Sequence, residues 1–398
     1  MKGRMLKEGI LGVIAISLSS QGQVGALSAS SPAMTLSVPA PTGPNRVGTT
    51  VMQLVDTSRS NPFMADGTKR ELPVRFWYPT PSAQPCRPAL YTSPVVWTYL
   101  TRLAGLTLPD PGTNSCLDAP VLNHLHPVII FSHGYTGMFT DATYLLEELA
   151  SRGFVVASIA HTYESTAVEF PDGRFVRSVL GSYLASETVR FDTRSISHAY
   201  SVRIRDLTFV LDELQRMNTS GDSPFAGKLD LSRIAVVGYS LGGGAAMASA
   251  ARESRIRSAI ALNPILAGAL TPQITKPILI LRSETEEASH GGCNFWSNLG
   301  DTQIAVDLPA GDHFTLSDAV WLFKSRPDLI SNVSAIGAEK TIAVVRECVT
   351  SFLDSALLGR AAVPLLRGIS PKYPGVNIST RGQTICADQS AVGGGGLQ

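Results

Sequence analysis

The feature of this sequence that most constrains its fold is a Gly-x-Ser-x-Gly motif at residues 238–242. An apolar segment, residues 234–237, precedes it with the composition of a buried strand, and residues 245–251 suit a helix. A serine between such a strand and helix sits on a sharp, strained turn that lifts its hydroxyl clear of the sheet. A side chain at Gly238 or Gly242 would collide with the neighbouring elements. This context favours Ser240 as a nucleophile over the alternative, an ordinary glycine-rich turn.

The bulk composition is that of a globular protein with a large core. Of the 398 residues, 44% are hydrophobic and 16% are charged, and 33 basic and 32 acidic residues leave a net charge of +1. A nucleic-acid-binding protein needs a concentrated basic face, which interspersed charges do not provide. We therefore expect neither nucleic acid nor another polyanion as a partner.

The N-terminus has the three parts of a secretory signal. Lys2, Arg4 and Lys7 are basic, residues 10–18 are apolar, and the small residues at 24–26 suit cleavage. The alternative, a membrane anchor, needs about 20 apolar residues, and this run is shorter. We predict a signal peptide at 1–26, a flexible lead-in at 27–50, and a secreted protein without stable membrane insertion.

The five cysteines fit the oxidising compartment that secretion implies, where four would pair and one would be left over. Cys86 and Cys116 lie in the same proline-rich region and are the favoured local pair. The pairing of the other three stays open: Cys293, Cys348 and Cys386. None of the five has the spacing of a metal site or of a Cys-x-x-Cys redox pair. Three glycosylation sequons agree with secretion: Asn218, Asn332 and Asn377.

Strand and helix patterns alternate along residues 51–360, which we predict to be one α/β domain. Such alternation predicts a mostly parallel central sheet with helices on both faces. Two segments interrupt it: a long irregular insertion at 79–126, rich in proline, and a cap or loop at 160–198. Residues 361–398 are expected to form a tail with a disordered end. Strands are expected at 51–55, 72–78, 128–131, 154–159, 258–262, 278–281 and 303–308, and helices at 143–152, 199–217 and 338–358.

A serine hydroxyl is a weak nucleophile, so Ser240 needs a histidine base and an acid that orients the histidine. In folds with this serine turn, the chain order is serine, acid, histidine. Only His290 and His313 follow Ser240. His313 comes just after the last predicted strand, where the base is expected, whereas His290 is too close to the preceding strand. We predict His313 as the base; the alternative is a solvated loop histidine.

The acid is expected a few residues beyond the strand at 278–281. Three carboxylates follow that strand, and counting from its end favours Glu286, with Glu284 next and Glu287 third. Each of the three could equally be a solvated loop charge. The acid therefore stays open among them, with Glu286 first.

An oxyanion hole in such a site uses the amide after the nucleophile, at Leu241, and one from the loop after an early strand. Residues 132–137, Ser-His-Gly-Tyr-Thr-Gly, follow the buried strand at 128–131 and supply that loop. The amide of Tyr135 is the expected donor. His133 is interpreted as shaping the loop through hydrogen bonds, and His161 as structural, rather than either acting as a base.

These motifs together resemble the α/β-hydrolase group around plasma-type platelet-activating factor acetylhydrolase, dienelactone-hydrolase-like proteins and polyester hydrolases. The resemblance covers about residues 70–355 and runs through residues 72–79, residues 131–134, the serine turn, and His313 with Asp318 five residues on. It implies the α/β-hydrolase fold, Ser240 as nucleophile, His313 as base, and the Tyr135 and Leu241 amides as the oxyanion hole.

One position departs from the acetylhydrolase pattern. Those enzymes take their acid from the strand after the nucleophile helix, where this sequence has Asn263. An asparagine cannot stabilise an imidazolium as a carboxylate does. Either Glu286 or Glu284 takes that role, as in the polyester-hydrolase pattern, or activity is reduced.

The sequence therefore predicts a secreted serine hydrolase of carboxylic esters that works through an acyl-enzyme on Ser240. Short-acyl or apolar esters, as small molecules or lipids, are the expected substrates, and neither metal nor organic cofactor is implied. Two alternatives remain: a hydrolase of secondary-metabolite lactones or thioesters with the same residues, and a non-catalytic binding module, which Asn263 keeps open. The oligomeric state stays open.

Overall fold

The computed structural model describes residues 35–83, 85–182, 192–265, 274–283, 303–324, 334–361, 366 and 372–380. The strands there are β1 (Arg46–Ser60), β2 (Lys69–Thr80), β3 (Pro88–Leu90), β4 (Gly112–Leu117), β5 (His126–Ser132), β6 (Val155–Ile159), β7 (Ala167–Glu169), β8 (Phe175–Arg177), β9 (Leu229–Tyr239), β10 (Ile256–Leu262), β11 (Ile278–Arg282), β12 (Gln303–Asp307) and β13 (Asn377–Thr380). The helices are α1 (Pro94–Leu103), α2 (Thr143–Ser151), α3 (Thr193–Thr219), α4 (Leu241–Arg252), α5 (Ala319–Leu322) and α6 (Ala338–Leu358), with a 3₁₀ turn at His313–Leu316.

Within these residues, eleven strands form one sheet in the order β13-β12-β11-β10-β9-β5-β6-β2-β1-β4-β3, and β7 and β8 form a separate hairpin. The neighbours from β6 through β5, β9, β10 and β11 to β12 all pair in parallel. Parallel strands place their carboxyl ends at one edge of a sheet. The residues that follow β5, β9, β10, β11 and β12 are therefore gathered at that edge.

Helices cover both faces of the sheet because the central strands are apolar on both sides. Along β5, Val128 and Ile130 join one hydrophobic cluster with side chains from α3 and α4, whereas Ile129 and Phe131 join another with α2 and α6. This alternation is the pleat of a strand buried on both faces. The α/β-hydrolase fold class predicted from the sequence is confirmed.

The predicted flexible lead-in is wrong from residue 35 onward. Leu36 and Val38 are buried in the core, and β1 begins at Arg46. Thr42 donates to the buried carboxylate of Glu148 through its amide and its hydroxyl, both at 2.7 Å. Serine- and proline-rich composition alone does not reveal such anchoring, since it depends on a helix about 100 residues away.

Two other segments are more regular than expected. The insertion at 79–126 contains α1, which is capped by Ser93 and begins with a proline, together with β3 and β4. The tail contributes β13, which pairs antiparallel with β12. Each segment gains its structure by docking on the sheet, a contact that local sequence does not encode.

The segment at 160–198 holds the β7–β8 hairpin, and α3 already begins at Thr193, six residues before its predicted start. The carboxylate of Asp192 caps that start by accepting from the amide of Ser195. At the other end of α3, the amide of Asn218 is engaged with the backbone of Leu229 through both its oxygen and its nitrogen. A glycan on the Asn218 nitrogen would disturb that pair.

The favoured cysteine pair is present. Cys86 and Cys116 form a disulfide across 30 residues of the insertion, and Cys348 is a buried free thiol. Cys293 and Cys386 lie outside the described residues. Among those residues, no helix is both long and apolar enough to cross a membrane.

Replacing both Cys86 and Cys116 by serine is expected to destabilise the protein. Closure of a loop of 30 residues in the unfolded chain corresponds to about 3.5 kcal/mol in the chain-entropy model. Urea unfolding of the double variant against the wild type measures the loss. Peptide mapping of unreduced protein should recover the linked peptides, and their absence, or a variant as stable as wild type, would contradict the prediction.

Candidate active site

The turn at Ser240 has the strained backbone that the motif predicts. Ser240 joins β9 to α4 with φ 55° and ψ −122°, a region that few residues other than glycine adopt. A Cβ on Gly238 would lie 2.0 Å from the carbonyl oxygen of Gly242. A Cβ on Gly242 would lie 2.1 Å from the carbonyl oxygen of Ser132. Both glycines are therefore required because backbone from α4 and from the loop after β5 packs against them.

The structure brings Ser240 and His313 together. Oγ of Ser240 lies 2.8 Å from Nε2 of His313, so the hydroxyl can donate to the imidazole. His313 begins the 3₁₀ turn after β12, which a capping box formed by Asp312 and Thr315 holds in place. The hydroxyl of Tyr239 donates to the carbonyl oxygen of His313 at 2.7 Å. The residue before the serine thus fixes the backbone of the histidine.

Asn263 is used as a backbone clamp. Its Nδ2 donates to the carbonyl oxygen of His313 at 3.0 Å and to Oγ of Ser283 at 2.8 Å, and its Oδ1 accepts from the amide of Ser283 at 2.8 Å. Both donors of the amide are therefore committed to holding the end of β11 against the His313 loop. Asn263 itself has φ 42° and is buried. These hydrogen bonds explain why the chain has an asparagine at the position where the acetylhydrolase pattern has a carboxylate.

The three candidate acids, Glu284, Glu286 and Glu287, lie outside the described residues. The last described residue before them is Ser283, directly after β11, and its hydroxyl donates to the carbonyl oxygen of Asp312 at 2.8 Å. The chain therefore leaves β11 next to the residue that precedes His313.

The loop after β5 lies against the serine turn. A Cβ on Gly134 would stand 3.4 Å from Cβ of Ser240 and 3.0 Å from the ring of Tyr239. Leu241 is the first residue of α4, where backbone amides lack intrahelical acceptors and the helix dipole favours negative charge. The two amides named from sequence, those of Tyr135 and Leu241, therefore belong to segments that border Ser240; their role as oxyanion donors stays a prediction.

An apolar cavity of about 200 Å³ opens beside Ser240 and His313. Part of its wall is α1 with the segment that follows it, and another part is the His313 turn with α5. Sequence reasoning missed the contribution of α1, because the insertion at 79–126 that contains this helix was expected to be irregular. The apolar lining comprises Tyr91, Trp97, Leu100, Ala104, Leu106, Leu108, Tyr135, Met138, Phe314, Leu322 and Phe323.

A buried polar network lies beneath the loop after β5, and sequence reasoning did not find it. Arg203 and Asp206 project from α3, and both are inaccessible to solvent. His161 bridges Oδ2 of Asp206 at 2.9 Å and Oγ of Ser132 at 3.0 Å. The available signal was the spacing of residues 199, 203, 206 and 210, which places two charges on the apolar face of a helix.

The electrostatics of this network keep its histidines neutral and its aspartate ionised. Burial, reinforced by Arg203, lowers the pKa of His133 well below its usual value, and burial also lowers the pKa of His161. Burial alone would raise the pKa of Asp206, but Arg70 and His161 outweigh it and hold that pKa below its usual range. Neither histidine is placed to act as a base on Ser240, in agreement with their interpretation from sequence.

A second buried carboxylate, Asp318, ties the His313 turn to the rest of the site. Its Oδ2 accepts from the hydroxyl of Tyr91 and the amide of Thr143, and its Oδ1 accepts from the amide of Tyr144, all at 2.9 Å. Asp318 thus joins the insertion, the N-terminus of α2 and the segment after His313. Burial raises the pKa of Asp318 to about 7 despite these donors.

Two family models match the chain. One, described as PET hydrolase-like, matches residues 178–321, and the other, described as platelet-activating factor acetylhydrolase, isoform II, matches residues 30–206. A probable 1-alkyl-2-acetylglycerophosphocholine esterase from Arthroderma benhamiae is 27% identical over 285 residues, 64% of this chain and 66% of that protein. A cutinase from Thermobifida alba is 30% identical over 165 residues, 42% of this chain and 43% of that protein.

One solved structure matches over a much larger share. The ferulic acid esterase from Streptomyces cinnamoneus is 31% identical and superposes with a TM-score of 0.73, covering 87% of this chain and 99% of that one. Identity at that level over nearly a whole protein goes beyond a shared fold.

Asp318→Asn is expected to change how stability depends on pH. Because the pKa of Asp318 is raised to about 7 in the folded protein, the native state keeps this proton at pH values where the unfolded chain has lost it. The contribution of protonated Asp318 to the free energy of unfolding is therefore present at low pH and falls as pH rises towards 7. Urea unfolding at pH 5, 6, 7 and 8 should show a smaller decline for Asp318→Asn than for wild type.

The exposed Asp110→Asn serves as the control, and its unfolding free energy should follow the wild-type pH profile. Parallel profiles for all three proteins would contradict the assignment of a proton to Asp318 near neutral pH.

Proposed function

The chain belongs to the α/β-hydrolase family of carboxylic ester hydrolases, and from that membership we propose that it cleaves esters through an acyl-enzyme on Ser240. The observation that carries the proposal is the 2.8 Å contact between Oγ of Ser240 and Nε2 of His313, next to an apolar cavity. A nucleophile within hydrogen-bonding reach of its base is what acyl transfer requires.

The reaction follows from that pair. His313 accepts the hydroxyl proton as Oγ of Ser240 attacks the ester carbonyl carbon, and the carbonyl oxygen becomes an oxyanion against the amides of Tyr135 and Leu241. His313 then donates the proton to the departing alcohol, which leaves the acyl group on Ser240. A water molecule, deprotonated by His313, attacks this acyl-enzyme in the same way and releases the carboxylic acid.

We propose Glu286 as the acid that orients His313, with Glu284 as the alternative. Supporting this, β11 ends beside the His313 turn, since Ser283 bonds to the carbonyl of Asp312. The amide of Asn263 has both its donors committed to backbone and hydroxyl acceptors, and it carries no charge that could stabilise an imidazolium.

Uncharged esters with an apolar acyl group are the proposed substrates. The cavity beside Ser240 is lined mainly by aromatic and aliphatic side chains, an environment that favours apolar groups over charged ones. The relatives' names span a phospholipid ester, cutin and ferulic acid, so small-molecule and lipid esters both remain within the proposal. Lactones and thioesters of the same character would use the same residues.

Secretion is part of the proposal. The basic and apolar N-terminal segments and the disulfide between Cys86 and Cys116 both suit export to an oxidising compartment.

The first test is an ester panel with active-site variants. Turnover of p-nitrophenyl esters from acetyl to palmitoyl is expected for wild type and lost in Ser240→Ala, since this variant lacks the hydroxyl that lies 2.8 Å from Nε2 of His313. A fluorophosphonate should label wild type and not Ser240→Ala. Only one of Glu286→Gln and Glu284→Gln should lower kcat strongly, on the order of 10³–10⁴-fold, because loss of the orienting carboxylate leaves the histidine in the wrong tautomer.

If the wild-type protein neither hydrolyses any ester nor reacts with the fluorophosphonate, the hydrolase proposal is refuted and the binding-module alternative is favoured. Turnover restricted to lactones or thioesters would keep the mechanism and change the substrate class.

A second test concerns the acyl side of the cavity. Leu100 lines the cavity from α1, so Leu100→Trp should fill part of its 200 Å³ and exclude longer acyl groups. We expect kcat/KM for the octanoyl ester to fall at least tenfold relative to that for the acetyl ester. Val95→Trp, at an exposed position of the same helix, is the control and should leave this ratio unchanged.

If both tryptophan variants shift the ratio equally, or neither does, then the acyl group binds elsewhere than in this cavity.

A further inference from the structure

Arg203 is a buried cation whose guanidinium contacts the backbone of the loop beside Ser240. It is inaccessible to solvent on α3. Its Nη2 donates to the carbonyl oxygen of Gly134 at 2.8 Å, and its Nη1 donates to the carbonyl oxygen of His133 and, at 3.1 Å, to Oγ of Ser132. Three consecutive residues, the last of β5 and the first two of the loop, are thus bound by one side chain.

Glu164 holds that guanidinium in place from the other side. Nε of Arg203 lies 3.0 Å from both carboxylate oxygens of Glu164, and Nη2 also donates to one of them. Both side chains are fully buried. An unpaired buried charge is costly, whereas a bidentate pair with its remaining donors satisfied has one preferred geometry. The orientation of the Arg203 guanidinium is therefore set by Glu164.

The orientation of one peptide group follows from these contacts. The carbonyl of Gly134 and the N–H of Tyr135 belong to the same planar, trans peptide and point in opposite directions. Arg203 holds that carbonyl towards α3, so the N–H of Tyr135 points away from α3. Gly134 itself packs against Ser240, with only 3.4 Å between the Cβ it would carry and that of Ser240.

The loop next to this peptide is under backbone strain. Thr136 has φ 52°, a conformation that is costly for a β-branched residue. The carbonyl oxygen of Gly134 also accepts from the amide of Gly137 at 2.9 Å, which closes the turn around Thr136. A strained turn relaxes when its anchors are removed, and Arg203 is the anchor that reaches it from the helix.

We propose that Arg203 is a positioning residue for ester hydrolysis: through the carbonyls of His133 and Gly134 it orients the Tyr135 amide as an oxyanion donor, with Glu164 fixing the guanidinium. This inference rests on the proposed esterase function. It adds to that function a residue that touches neither substrate nor Ser240.

The test is Arg203→Lys, which keeps the positive charge and loses the two-pronged donor geometry. A misdirected oxyanion donor weakens the transition state and not substrate binding, so kcat should fall by up to about 10²–10³-fold with little change in KM. A trifluoromethyl ketone carrying the same acyl group forms a tetrahedral oxyanion on the serine. Its inhibition constant should rise by about the factor by which kcat falls.

Arg346→Lys is the matched control. Arg346 is also a buried arginine that donates to three backbone carbonyls, those of Pro39, Ala40 and Tyr144, away from the loop beside Ser240. We expect a comparable loss of thermal stability in the two lysine variants, and an unchanged kcat and inhibition constant in Arg346→Lys. Equal kinetic behaviour of the two variants would overturn the proposal, because it would reduce Arg203 to a structural residue.

Glu164→Gln provides a second variant if Arg203→Lys does not fold. It leaves the arginine in place but removes the charge that aligns it, so kcat should fall less steeply, again at constant KM. A kcat equal to that of wild type in a folded Glu164→Gln protein would also overturn the proposal. A wild type without turnover or fluorophosphonate labelling would instead refute the esterase function itself, which separates the two failures.

Discussion

The candidate site depends on the close backbone packing of the turn at Ser240 against the segments on either side of it. Gly238 faces the carbonyl of Gly242, and Gly242 faces the carbonyls of Ser132 and His133. The amide of Ser240 donates to the carbonyl of Leu262 at 2.8 Å, which ties the turn to β10 as well. Because backbone meets backbone here, neither Gly238 nor Gly242 has room for a side chain. The positive φ of Ser240 is the strain that accompanies this packing.

Charge is buried under the same loop in a balanced arrangement. Arg203 pairs with Glu164, and Arg70 pairs with Asp206 at 2.6 Å, so each cation has a carboxylate within reach. Such pairs contribute little net stability compared with apolar packing, but they restrict the groups around them to one arrangement. An arrangement of this kind suits a loop whose proposed task is to hold an amide in a fixed direction.

The insertion between β2 and β5 supplies one wall of the cavity beside Ser240. The guanidinium of Arg75, buried in the sheet, donates to the carbonyl of Tyr91 at 2.6 Å, and the hydroxyl of Tyr91 reaches Asp318 behind His313. The disulfide between Cys86 and Cys116 closes the base of the insertion. Helix α1 is therefore fixed both to the sheet and to the histidine segment, which is why it can form a defined cavity wall.

Local sequence determined the α/β class, the central strands, helix α6 at its observed bounds, and the serine turn, since hydrophobic periodicity and glycine sterics act over a few residues. It also named Ser240 and His313, which the fold then brought within 2.8 Å of each other. Only the tertiary structure decided that Asn263 clamps backbone, that α1 lines a cavity, and that Arg203 holds the loop beside the serine. Those outcomes depend on contacts between segments tens to hundreds of residues apart. The local sequence around a residue does not determine which distant backbone group will lie within hydrogen-bonding distance of it in the fold.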